Sequence, residues 1–134
     1  MNNDTHRIKQ QQVIPIPITR DRFFRFYLEL LKDFPPFNKL AARERKFISL
    51  LMSLKSQHKN LPKDERNALI FSKVNKDKIR EELGDKKPLG EGTLNNMLYK
   101  LRKDGIIINH YDIPGIIDIT PDENFSLVFK FNVK

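Results

Sequence analysis

The chain has 134 residues and no cysteine, and its 25 Lys and Arg outnumber 17 Asp and Glu to give a formal net charge of +8. That length suits one domain with a buried core, while the missing thiols exclude a disulfide framework, a thiolate zinc site and a cysteine nucleophile. A hydrophobic content of 39% with ten Phe excludes an intrinsically disordered chain, no apolar run approaches a membrane span, and the basic excess predicts an anionic partner, foremost nucleic acid.

Residues 1–18 read as an extended N-terminal arm. Met1 to Gln12 is polar, with Asp4, Arg7 and Lys9, and is no secretory signal, so the cytoplasm of a bacterial or host cell is the expected location, with a virion as the alternative. In Val13-Ile14-Pro15-Ile16-Pro17-Ile18 the alternate prolines hold their neighbours extended and exclude a helix. Its isoleucines are expected to lie on the protein's own core or on a partner subunit. A first helix starts at Thr19 or Asp21 and stops at Pro35-Pro36. Phe23, Phe24, Phe26, Tyr27, Leu28, Leu30, Leu31 and Phe34 cover most of its circumference, leaving Arg22, Arg25, Glu29 and Lys32 as a polar stripe. A face this wide has two neighbours to satisfy: the core, and either a second subunit or the arm.

A second helix is predicted from about Leu40 to His58, with Leu40, Phe47, Leu51 and Leu54 inward and His58 packing or capping at its carboxyl end. Beyond the break at Asn60-Leu61-Pro62, Lys63 to Asn67 reads as a polar link and Ala68-Leu69-Ile70-Phe71 as a short buried strand. A helix of about two turns then opens with Asn75 as N-cap, Val74 and Ile79 as a hydrophobic staple, and Gly84 as its stop. The basic turn Asp85 to Gly90 leads into a longer helix, Glu91 to Asp104, with Leu94, Met97, Leu98 and Leu101 buried and Gly105 ending it. After Gly105 the period changes. Ile106-Ile107-Ile108 and Ile116 to Thr120 read as strands around a Pro114-Gly115 turn, and Phe125, Leu127, Phe129, Phe131 and Val133 alternate with mostly polar residues as a half-buried strand.

The run Lys78-Ile79-Arg80-Glu81-Glu82-Leu83-Gly84, followed by Gly92-Thr93-Leu94-Asn95-Asn96-Met97-Leu98-Tyr99-Lys100-Leu101-Arg102-Lys103-Asp104-Gly105-Ile106-Ile107, resembles the winged helix-turn-helix of many bacterial and phage DNA-binding proteins. The wider layout is similar to the RepL type of plasmid and phage replication protein: two helices first, then this pair, then Gly115-Ile116-Ile117-Asp118-Ile119-Thr120-Pro121 and a closing hydrophobic strand. The resemblance implies an α+β fold, mainly α, in a single domain over residues 19–134. Its helix-turn-helix occupies about 75–104, and an antiparallel β wing about 105–134.

With Leu94, Leu98 and Leu101 inward, Asn96, Tyr99 and Lys103 centre the opposite face, flanked by Asn95, Lys100 and Arg102. Asparagine pairs bidentately with adenine and lysine reads guanine or a phosphate. Lys86 and Lys87 in the turn, and Thr93 at the start of the helix, are candidate phosphate contacts. The expected function is therefore sequence recognition on double-stranded DNA by a replication initiator or transcription regulator of a phage or plasmid. The charge is uneven: residues 1–104 carry 23 basic and 13 acidic residues, net +10, whereas 105–134 carry 2 and 4, net −2. Carboxylates on a wing repel phosphate, which leaves a second reading: a structural or adaptor protein of a phage-like assembly that uses its extended termini. In either reading a homo-oligomer through the arm and the Phe-rich helix 19–34 is expected, with no membrane. His6, His58 and His110 share no metal-ligand spacing and Gly90-Glu91-Gly92 lacks the rest of a phosphate-binding loop, so no enzyme, metal or cofactor is expected.

Overall fold

The computed structural model describes residues 12–108, Asp112 and residues 125–134. Its helices, in chain order, are α1 (Arg20–Leu30), a 3-10 turn (Phe37–Lys39), α2 (Ala42–Gln57), α3 (Lys63–Ile70), α4 (Lys73–Leu83) and α5 (Glu91–Lys103). α1 packs along α2, and α2 carries α3 and α4. Phe24, Tyr27, Leu28 and Leu31 from α1 and the turn after it join Phe47, Ile48, Leu51 and Met52 from α2 in one buried cluster. The cluster continues through Ile79, Leu83 and Leu89 to Leu94, Leu98 and Leu101 of α5, so the basic turn and the last helix hang on the same core as the first two.

Helix ends follow from local chemistry. Thr19 caps α1 in extended conformation with Asp21 in the first turn, where a carboxylate suits the positive end of the dipole. Ala41 precedes α2 without a side-chain acceptor, yet Glu44 reaches back and its Oε1 accepts the Ala41 N–H at 2.8 Å. His58 stands at the carboxyl end of α2 and donates its backbone N–H to Leu54 O, in the capping place its position predicts. At the end of α5, Gly105 takes φ +74°, which lets its N–H bond Arg102 O while the Ile106 N–H reaches Leu101 O at 2.9 Å. This is the Schellman pattern, with buried Ile106 and Leu101 as its accompanying apolar residues.

The fold is not α+β with a wing: among the described residues there are five α-helices and no strand. The only pairing there is a lone antiparallel bridge, Ile108 N–H to Asp112 O at 2.6 Å and Asp112 N–H to Ile108 O at 2.7 Å. Ile106 and Ile107 cannot start a strand because both amides are spent on Leu101 O, closing α5. Residues 125–134 take neither helix nor strand and form no ladder. The strand predicted at Ile116 to Thr120 and the turn at Pro114-Gly115 lie outside the described residues, as do residues 1–11 of the arm.

Ala68-Leu69-Ile70-Phe71 is not a strand either. It closes α3, in which Asn67 and Ile70, one helical turn apart, are buried while Ala68 and Leu69 face out. α4 opens earlier than expected. Ser72 is its N-cap and accepts from the Asn75 N–H, whereas Asn75 is buried inside the helix and donates from Nδ2 to Leu69 O at 2.6 Å. Val74 is 65% exposed, so it forms no staple with buried Ile79. No helix among the described residues is long and apolar enough to cross a membrane.

Candidate nucleic-acid interface

The turn between α4 and α5 is longer than a tight helix-to-helix link, but it is not slack. Gly84 ends α4 with its N–H on Arg80 O, and the chain returns so that the Leu89 N–H also reaches Arg80 O at 2.8 Å. The Arg80 guanidinium completes the closure, donating from Nε to Leu89 O at 2.7 Å while its other arm pairs with Asp77 at 3.1 Å. Buried Leu89 pins the underside of the turn. Lys86 and Lys87 are thereby carried, exposed, on a loop fixed at both ends. Asp77 faces both Lys73 and Arg80. The hydrogen bond from Lys73, helped by the Lys73 charge and by the hydrogen bond and charge of Arg80, holds the Asp77 carboxyl below its ordinary value against the opposing effect of burial.

On α5 the division into two faces is clean. Leu94, Leu98 and Leu101 are buried, Met97 packs at the edge, and Asn95, Asn96, Tyr99 and Lys103 are exposed, Tyr99 to 69%. Arg102 is half-buried on the flank. Thr93 is exposed in the first turn, but Glu91 is there too, and its carboxylate disfavours a phosphate on the amides at that end. The cationic side chains stand instead in the turn, at Lys86 and Lys87, and in the last turn of α5, at Lys100, Arg102 and Lys103.

Lys100 has a structural partner. Its Nζ donates to both oxygens of Glu44, at 3.0 and 2.9 Å, and that carboxylate is nearly buried at the start of α2. A buried carboxylate needs hydrogen bonds and a counter-charge. Ala41 supplies one bond and Lys100 the charge, clamping the last turn of α5 onto α2. The Glu44 hydrogen bond, with its charge and that of Asp104, raises the Lys100 pKa above its ordinary 10.5.

Replacing Lys100 by Met is expected to cost about 1–2 kcal/mol, toward the lower figure because half of the lysine side chain is in water and the pair is screened. A folded pKa above the unfolded value means that this contribution is complete below about pH 10.5 and disappears as pH rises through the raised value. Burial also raises the Tyr27 pKa from 10.0, so both proteins weaken in alkali for that second reason. Urea midpoints of the two proteins between pH 7 and 11 isolate the lysine: their difference should hold flat to about pH 10 and then shrink. A difference that stays flat at pH 11 would show that the pair contributes nothing.

Sequence reasoning placed the exposed and buried faces of α5 as they stand and missed the two residues that fix the interface, Arg80 and Glu44. The Asp77/Arg80 spacing hinted at a helical pair, and a glutamate three residues into a helix hinted at a cap. The Leu89 carbonyl and Lys100 come together only through the fold. The acidic character expected after Gly105 is reduced at one point, since Lys63 pairs with Asp112 at 3.0 Å. Among the described residues no group of three or more acidic or histidine side chains gathers as a metal site. Comparison of the chain with protein-family models, curated proteins and solved structures finds no match.

Proposed function

We propose that this protein binds double-stranded DNA, presenting the exposed face of α5 to base edges and the Lys86-Lys87 turn to the phosphate backbone, in the role of a replication initiator or transcription regulator. The observation that carries the reading is the row Asn96, Tyr99 and Lys103 lying open opposite the buried row Leu94, Leu98 and Leu101, beside a basic loop fixed by Arg80. A helix that enters a major groove needs this division: a packed back, a front of hydrogen-bonding side chains, and cations at its flank to hold register on phosphate. Asn95, Asn96, Tyr99 and Lys103 are assigned to base readout, with Thr93 and Arg102 as flanking backbone contacts. Lys100 orients α5 through Glu44.

Asn96→Ala is expected to relax base preference at one position by about 1–3 kcal/mol while leaving affinity for random duplex nearly unchanged. Competition between selected and scrambled duplexes checks this; loss of equal size on both would reassign Asn96 to the backbone. The adaptor reading keeps one supporting observation, the exposed apolar side chains of residues 13–18 and 125–134. Native mass with and without duplex separates the two: a small species that shifts with DNA favours recognition, and a large ring indifferent to DNA favours assembly.

A further inference from the structure

A groove of about 1310 Å³ lies where α1, α2 and α4 meet. Among the described residues, none from α5 or from the Lys86-Lys87 turn lines it. On α2, Lys46 of the groove and Glu44, which holds Lys100, stand roughly 200° apart around the helix axis, so the groove faces away from α5. Small side chains on α2 make room for it. Ser49 and Ser53 stand one turn apart on the groove side, and the Ser49 hydroxyl already donates to Lys46 O at 2.7 Å. Phe26, Leu50 and Leu54 bring apolar surface beside them, and Phe26 is 39% exposed. Along α2 the lining runs from Lys46 to Gln57, roughly 16 Å or three helical turns.

The charges around this floor are uneven. Arg25 of α1, Lys46 of α2 and Lys78 of α4 line the groove and form no ion pair among the described residues. The carboxylates there are mostly engaged: Glu29 pairs with Arg45 at 3.1 Å, and Asp21 is bonded by the Thr19 side chain beside the Arg22 charge. Glu82 is left to face those cations.

We propose that this groove docks an acidic amphipathic helix of a protein partner. The apolar row of that helix lies on Phe26, Leu50 and Leu54, and its flanking carboxylates meet Arg25, Lys46 and Lys78. Complementarity of charge and surface selects this occupant. A nucleic-acid strand would meet the same cations, but Leu50 and Leu54 are aliphatic and Phe26 is the only phenyl ring among the described lining residues, so there is no platform on which successive bases stack. The exposed ends of a second copy fit poorly, because residues 12–18 and 125–134 contain no Asp or Glu and the latter carry Lys130 and Lys134. Since the groove and α5 face apart, the inference stands independently of the DNA reading.

Selection by the full chain from a displayed library of three-turn amphipathic helices, with a fixed apolar row and either Glu or Lys at the flanks, tests the proposal. Glu-flanked helices should be enriched. A synthetic Glu-flanked peptide from that pool should lose affinity roughly tenfold on Arg25→Glu with Lys46→Glu, while a Lys-flanked peptide gains it. That gain also shows that the variant is folded. Lys86→Ala with Lys87→Ala should leave peptide binding in place, which separates this surface from the duplex contact. Enrichment of Lys flanks, no enrichment, or equal peptide affinity in the wild-type and charge-reversed proteins would overturn it. So would self-association of the full chain, or binding of a labelled single-stranded oligonucleotide, that the same reversal abolishes.

Discussion

Gly84→Ala is expected to destabilise the protein by about 2–3 kcal/mol, read as a fall in urea midpoint with an unchanged slope. The cause is space, because Gly84 has a negative φ that any residue can adopt. A Cβ there would run into the Lys87 carbonyl oxygen and approach Leu89 N at 2.9 Å. Both are backbone atoms, and neither can retreat without breaking the two bonds that tie Arg80 to Leu89. Relief means opening the turn, withdrawing Leu89 from the core and releasing the loop that carries Lys86 and Lys87. Gly90→Ala is the matched control: its Cβ would meet only Thr93 Oγ1, at an ordinary 3.6 Å, and should cost little. If Gly84→Ala changed stability by less than about half a kcal/mol, the turn would be loose and its place in the interface unsupported.

Replacing Lys86 and Lys87 together by Ala is expected to lower affinity for any duplex on the order of thirtyfold near 0.15 M salt and to reduce the slope of log affinity against log salt by about 1.8. Both side chains are exposed on a fixed loop, so stability should not change. Each lysine that neutralises a phosphate releases about one counterion, and that release is the source of both effects. Fluorescence anisotropy titrations from about 50 to 300 mM salt measure slope and affinity together. An unchanged slope would mean that the loop faces away from the nucleic acid.

Much of the helical frame was legible because its signals are local. The apolar spacing of Leu94, Leu98 and Leu101 puts the buried face of α5 where it stands, and Gly84 and Gly105 end their helices as read. The readings that failed involve short apolar runs with two solutions. Ala68 to Phe71 looked like a strand, although Pro62 ahead of Asp64 and Glu65 is equally the opening of a helix. Ile106 and Ile107 looked like a strand because branched residues favour one, yet a glycine in the left-handed region folds them back onto Leu101. Asn75 looked like a cap because its burial beside the Leu69 carbonyl depends on how α3 meets α4.

The candidate interface divides in the same way. Its exposed row on α5 follows from periodicity, whereas the two clamps that hold it, Arg80 on Leu89 and Glu44 on Lys100, join residues 9 and 56 positions apart in sequence. That second clamp also alters the role of Lys100, which sequence placed among the DNA contacts and the fold commits to a buried carboxylate. The alternation in residues 125–134 reads as a strand in the sequence, yet no strand forms there among the described residues.

We propose that α5 reads duplex DNA. Repeated selection of bound sequences from a random duplex pool by the full chain, run in parallel with Asn96→Ala, tests it most directly. A short motif should be enriched by the wild type, with that enrichment reduced at one position by the substitution and binding that weakens steeply with salt. A pool that stays random after selection, retained to the same extent at low and high salt, would contradict it.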